Sequence, residues 1–211
     1  MPTPLEKARK NPDSMKAKIL LSARHLFGEY GYHGVTTRMI AKEVGIDIST
    51  LHYHWGDKEN LYEAVVTDVN DEIIQVLRDI EKEVHGKSMA VRLEVAIETM
   101  CDYLFSKPEV PKLVVVSSFT KTRPDGIKDD RLSAHVPNVA TAMGLAPDKK
   151  DVSPRDSAMV LAISNAIYSF TSGESAFRRV LKVDHEEYIS VTKDTLKFIL
   201  IPAFAQEFNR N

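Results

Sequence analysis

The sequence is poor in cysteine, tryptophan and glycine, and it lacks any apolar run approaching the roughly 20 residues that a bilayer crossing requires. With Cys101 as the only cysteine, no intrachain disulfide can form, and a thiolate metal site would need other ligands or other chains. The N-terminus has no apolar signal-peptide core, so a reducing, cytoplasmic setting without a membrane partner is expected. The seven histidines form no His-Glu-x-x-His spacing, and neither a glycine-rich phosphate loop nor a nucleophile elbow occurs. No catalytic residue, metal site or cofactor is expected. An enzyme would have to assemble its site from residues far apart in the chain.

What is present is a globular composition, 43% apolar and 27% charged over 211 residues, enough for a small module joined to one helical body. The formal charge of -2 is unevenly spread. Residues 1–60 hold nine Lys and Arg against seven Asp and Glu, whereas the rest holds 19 against 23. A basic N-terminal excess matters only if its cations share a face.

Apolar residues recur at three- and four-residue spacing almost throughout, which predicts an all-α chain. Residues 1–12, with three prolines and no apolar face, read as a flexible arm. Asp13 or Ser14 then caps a helix with Ile19, Ala23, Leu26, Phe27 and Tyr30 on its inner side, ended by Gly31 and Gly34. Thr36 caps a short second helix that buries Ile40 and Val44, Gly45 stops it, and Asp47 caps a short third helix closed by Trp55 and Gly56. Asp57 starts a long helix to about Val84, roughly 40 Å of strut at 1.5 Å per residue. Helices follow from Ser88, Pro108 and about Asp130, the last interrupted by Pro137. Ser153, Pro154 and Asp156 then give cap, N1 proline and capping-box acid in order. A final helix spans about Asp184 to Ala205.

Two short helices separated by Gly45, Ile46 and Asp47 form a helix-turn-helix, with small Ala41 permitting close packing and Leu51 pointing inward. The third helix is left presenting Ile48, Ser49, Thr50, His52 and Tyr53, a compact face suited to a major groove. Of His52, Tyr53 and His54, periodicity turns at least one inward. Thr36, Thr37 and Arg38 at one helix N-terminus and Lys58 at another add phosphate donors.

The run Thr36-Thr37-Arg38, Ile40-Ala41, Gly45-Ile46, Thr50-Leu51 and His54-Trp55-Gly56-Asp57-Lys58-Glu59-Asn60-Leu61 resembles the signature of the TetR family of bacterial regulators. The resemblance covers about Ile19 to Val65. It implies phosphate contacts by Thr36, Thr37, Arg38 and Lys58. His52 stands where the family tyrosine contacts phosphate, with Tyr53 beside it, and Ile48 replaces a common long polar base-reader. The resemblance also implies a variable helical ligand-binding and dimerisation domain after the three-helix DNA-binding bundle. The expected division is therefore an arm at 1–12, a DNA-binding domain at 13–60 and an effector-binding body at 61–211.

The expected protein is a ligand-responsive regulator, read as a repressor, that binds double-stranded palindromic DNA as a homodimer. A small, largely apolar effector releases it by tilting the long helix. Candidate pocket residues are Met100, Tyr103, Leu104, Phe119, Met159, Ile163 and Tyr168, with solid core as the alternative for each, and Asn165 as a ligand anchor or as a dimer-interface or internal hydrogen-bonding group. The helices containing Ala158, Ala162 and Ile167 and then Tyr188, Leu196 and Ile199 are apolar beyond one stripe, which predicts a two-fold contact through them. Cys101 reads as a buried hydrophobe rather than a redox sensor. A DNA-organising protein without an effector is the second reading, and an internal cavity is the feature that separates the two.

Overall fold

The computed structural model describes the backbone of residues 2–119 and 130–208, and their side chains except those of 118–119, 130–134 and 205–208. Every regular element among them is helical: α1 Pro4–Lys10, α2 Met15–Gly34, α3 Thr37–Val44, α4 Ile48–Trp55, α5 Lys58–Val84, α6 Met89–Ser106, α7 Glu109–Phe119, α8 Asp130–Ala142, α9 Pro154–Ser172, α10 Glu174–Leu181 and α11 His185–Phe208, with a 3-10 turn at Lys149–Asp151. No described helix is long and apolar enough to cross a membrane. The chain divides into two compact units, Met1–Asp71 with Lys112–Gly126 and Glu72–Pro111 with Ile127–Asn211. The division falls inside α5 rather than at residue 60, because Leu61, Val65 and Val69 along its first half are wholly buried.

The first unit corrects the expectation of a flexible arm. Thr3 and Glu6 form a reciprocal capping box and Pro4 occupies the first turn, so three prolines do not prevent a helix here. Ala8 is buried, and Arg9 reaches Asp68 at 2.8 Å and Asp71 at 3.1 Å on α5. Arg24 of α2 meets the same Asp68 at 3.4 Å from a nearly closed position. α2 starts on the Ser14 cap and is two helical stretches that meet in a kink at Gly31, whose φ of 67° with ψ of 172° is a non-helical conformation open to glycine. Ile19, Ala23, Leu26 and Phe27 form its inner face as expected, but Tyr30 is 57% exposed because it precedes the kink on the outer side.

In the second unit, α6 packs extensively on α11, and α9 packs on α6, α8 and α11. Leu93, Ile97, Leu104, Tyr188 and Leu196 are buried there, and the Tyr188 hydroxyl donates to the Phe170 carbonyl at 2.9 Å. α9 begins with the predicted device: Ser153 accepts from the Asp156 amide while Asp156 accepts from the Ser153 amide, with Pro154 at N1. α8 runs on across Pro137 instead of breaking. The segment after Gly173 is the helix α10.

Candidate functional site

The exposed edge of the first unit is built from the caps outward. The Thr36 hydroxyl accepts from the Met39 amide at 3.2 Å, opening α3 with the amides of Thr37 and Arg38 ahead of the first helical bond. Gly45 closes α3 in the left-handed region at φ 77°, and the Ile46 amide donates back to the Ala41 carbonyl at 2.9 Å. Asp47 then caps α4, accepting from the Thr50 amide and the Ser49 hydroxyl, each at 2.6 Å. These hydrogen bonds hold the Asp47 carboxyl below the usual aspartate range. Leu51 and Trp55 point into the core, and the Trp55 indole donates to the Lys16 carbonyl at 3.1 Å.

With those positions inward, the opposite side of α4 lies open. Ser49 and His52 are exposed, Tyr53 is 85% exposed, and Ile48 and Thr50 are half-buried at its margin. His54 is the member of its trio that turns partly inward. Burial and the nearby Lys16 ammonium push its imidazole below the usual histidine range. His52 Nδ1 lies 2.6 Å from the Gly56 carbonyl, which requires a proton on Nδ1 and leaves Nε2 as an acceptor in the neutral ring. Thr36 and Arg38 are exposed and Thr37 is half-buried. No ion pair engages the Arg38 guanidinium among the described residues.

Lys58 differs from its sequence reading. Its ammonium donates to the carbonyls of Tyr32 and Val35, both at 3.0 Å, and sits 4.1 Å from the centre of the Tyr32 ring. These carbonyls belong to the turn that leaves α2, so the lysine stitches that turn to the start of α5. Sequence spacing gives no sign of this, since the acceptors lie more than 20 residues upstream.

The second unit contains a cavity of about 370 Å³ between α5, α6, α8 and α9. Ile74, Leu93, Ile97, Val139, Val160 and Ile167 contribute most of an aliphatic wall. Of the predicted pocket residues, Met100, Ile163 and Tyr168 line it. Burial raises the Tyr168 hydroxyl to about 12. Tyr103 is instead turned to Glu72, to which its hydroxyl donates at 2.8 Å, and Leu104 is closed core. Met159 is half-buried off the wall, and Asn165 is exposed, its amide donating to the Leu161 carbonyl one turn back. The side chain of Phe119 lies outside the described residues. Sequence missed the contribution of α5 and named no lining residue of α8, because their inward residues look like ordinary core.

The expected dimer residues also separate. Ala158, Ala162 and Ile199 are exposed, whereas Ile167, Tyr188 and Leu196 are buried inside the protomer and are not available to a second copy. Beside Ile199 on α11, Phe198 is 79% exposed and Val191 38% exposed. Cys101 is fully buried, and burial pushes its thiol up to about 12, which leaves essentially no thiolate for redox chemistry. Among the described residues no cluster of His, Cys, Asp and Glu is arranged to hold a metal.

Residues 19–65 match the family of bacterial regulatory proteins described as the tetR family. The chain is 29% identical over 122 residues to the HTH-type transcriptional repressor AcnR of Corynebacterium glutamicum, a match covering 53% of this chain and 65% of that repressor. It is 46% identical over 52 residues to IcaR of Staphylococcus aureus, the negative transcriptional regulator of the biofilm operon icaADBC, over 25% of this chain and 28% of IcaR. The matched regions thus span under two thirds of the length of either relative. A solved transcriptional regulator from a Rhodococcus species shares the fold at a TM-score of 0.63, with 13% identity over 90% of this chain and 97% of the other.

Proposed function

We propose, from the premise that the chain belongs to the tetR family of bacterial regulatory proteins, that it is a ligand-responsive DNA-binding repressor acting as a homodimer. The observation that carries the reading is the open face of α4, with Ser49, His52 and Tyr53 outward, beside the uncommitted Arg38 at the start of α3. Such a face enters a major groove, where Ser49, Thr50 and Ile48 meet base edges and His52 and Tyr53 meet bases or phosphates. Thr36, Thr37, Arg38 and the free amides of α3 grip a phosphate. Lys58 donates to two carbonyls, which leaves one of its three ammonium protons for a phosphate. Two copies set about 34–36 Å apart read a palindrome and obstruct transcription there.

Homodimerisation is supported by the exposed Ala158 and Ala162 on α9 and the exposed Val191, Phe198 and Ile199 on α11. Effector binding is supported by the 370 Å³ cavity, which a purely structural DNA binder does not need. Helix α5 carries Leu61 and Val65 in the core of the first unit and Ile74 and Ile80 on the cavity wall, so an occupant that shifts α5 alters operator affinity.

The test is selection of genomic fragments bound by the purified full chain, followed by titration of the recovered site. A palindromic consensus bound as a dimer, and weakened by Arg38→Ala, supports the reading. Recovery of fragments without any common sequence overturns it.

A further inference from the structure

The charges of the cavity are segregated. Its interior wall is aliphatic, interrupted by the hydroxyls of Ser164 and Tyr168 and the amide of Asn138, while Arg78, Glu81 and Lys149 are exposed at its solvent margin. Arg92 also lines it, spending Nε on the Lys87 carbonyl and Nη1 on the Ala142 carbonyl, each at 2.8 Å, and keeping its positive charge. His135 adds an imidazole that neighbours Asn138. Among the described lining residues, three cations, Arg78, Arg92 and Lys149, stand against the single acid Glu81. Arg78 and Lys149 make no ion pair among the described residues.

Each candidate class of occupant meets this arrangement differently. A cation is repelled at the margin, and a neutral molecule gains nothing from it. A compact polyanion would have to bury charge against an aliphatic wall at a cost no internal partner offsets. An apolar chain ending in one anion satisfies both regions, with its body dry and its head beside Arg78, Arg92 and Lys149 in partly solvated surroundings. At about 30 Å³ for each water-sized group, the cavity takes on the order of a dozen non-hydrogen atoms.

Resting on the effector reading above, we infer that the ligand is an apolar chain of about ten carbons bearing a single terminal carboxylate. The nucleotide thioester of the same chain does not share that chemistry, because its carbonyl carries no charge and its phosphates lie in a larger head beyond the margin.

Calorimetric titration of the full chain with decanoate, decan-1-ol, decyltrimethylammonium and decanoyl coenzyme A tests the inference. Decanoate is expected to bind about ten-fold more tightly than decanol, with the ammonium weakest. Arg78→Gln and Lys149→Gln lie on exposed positions that the fold does not use, and each should weaken decanoate roughly three-fold while leaving decanol unchanged. Ala96→Trp, which places an indole in the cavity, should remove binding of both. Equal affinity for decanol and decanoate, or indifference of decanoate to the Arg78 and Lys149 changes, overturns the inference. A thioester that binds more tightly than the acid overturns the carboxylate head group. Operator titration separates the two levels. Decanoate that binds as described but leaves operator affinity unchanged sinks the effector reading alone. Operator release by an uncharged ligand, with decanoate inert, sinks only the carboxylate.

Discussion

The Lys58 ammonium lies 4.1 Å from the centre of the Tyr32 ring while donating a 3.0 Å hydrogen bond to the carbonyl of that same residue. A lysine at this place in a DNA-binding module invites assignment as a phosphate contact, yet both of its visible bonds close a turn. Its charge is used to fasten the end of α2 to the beginning of α5.

Lys58→Met is accordingly expected to act on stability first. Losing two charge-assisted bonds and a cation–π contact should cost about 2 kcal/mol, which for a chain of this size lowers the melting temperature by roughly 4–8 °C. Thermal unfolding followed by circular dichroism measures it. If the melting temperature is unchanged while DNA affinity falls for every sequence, the lysine is a phosphate contact after all.

Arg38→Ala provides the opposite case. The guanidinium is exposed and supports no internal contact among the described residues, so the melting temperature should stay within about 1 °C of the parent. Affinity should fall for all sequences, and the logarithmic salt slope should shrink by about one. Ser49→Ala or Tyr53→Ala should instead change the ranking among sequences. Anisotropy titrations over several salt concentrations and two unrelated sites distinguish these outcomes.

How far such assignments were legible depended on the range of the interaction. Thr36, Asp47 and the Ser153–Pro154–Asp156 cap act within four residues, and the helix starts read from them stand. Inward Leu51 and Trp55 followed from helical spacing and left the open face of α4 as the remainder. Apolar width failed where it had to say which side of a helix is wet. Tyr188 and Leu196 resemble interface residues in sequence, but α6 covers them within the protomer, while Phe198 and Ile199 one step round the helix remain exposed. Asn165 stands among apolar letters yet projects from the exposed side of α9. The bonds of Lys58 and of Arg9 bridge more than 20 and more than 50 residues respectively, and no local pattern encodes either.

The Arg9–Asp68–Arg24 group gives a graded stability prediction. Arg24 and Asp68 are nearly closed to solvent, so Asp68→Ala takes a carboxylate away from a buried guanidinium and should cost about 3 kcal/mol or more. Arg9 is 40% exposed, and Arg9→Ala should cost at most about 1 kcal/mol after solvent screening. Urea unfolding of both variants checks the order, and a larger loss from Arg9 would show that α1 rather than the buried pair dominates.

His54 supplies a pH dependence whose sign follows from its environment. Burial and Lys16 depress the folded-state pKa below 6.5, so the unfolded chain takes up the proton first as pH falls. The stabilisation is therefore full above about pH 6.5 and is lost as pH drops through the folded-state value. The difference in melting temperature between the parent and His54→Gln should narrow or reverse on going from pH 7.5 to pH 5. A difference constant across that range would exclude His54 as its source.

Phe198 tests the self-association on which a two-site reading of DNA depends. Its ring is 79% exposed on α11, next to Ile199 and one and two turns from Pro202 and Val191, and it makes no ring pair among the described residues. Phe198→Asp therefore removes no internal packing and should leave the protomer folded with an unchanged helical signal. In sedimentation velocity at micromolar concentration the parent should run as a dimer and the variant as a monomer, since a charge placed on both sides of a two-fold contact meets its own copy. Operator affinity should then fall by far more than any single α4 substitution achieves, because each half-site is left to one recognition helix. A variant that stays dimeric with full affinity would move the contact away from α11 altogether.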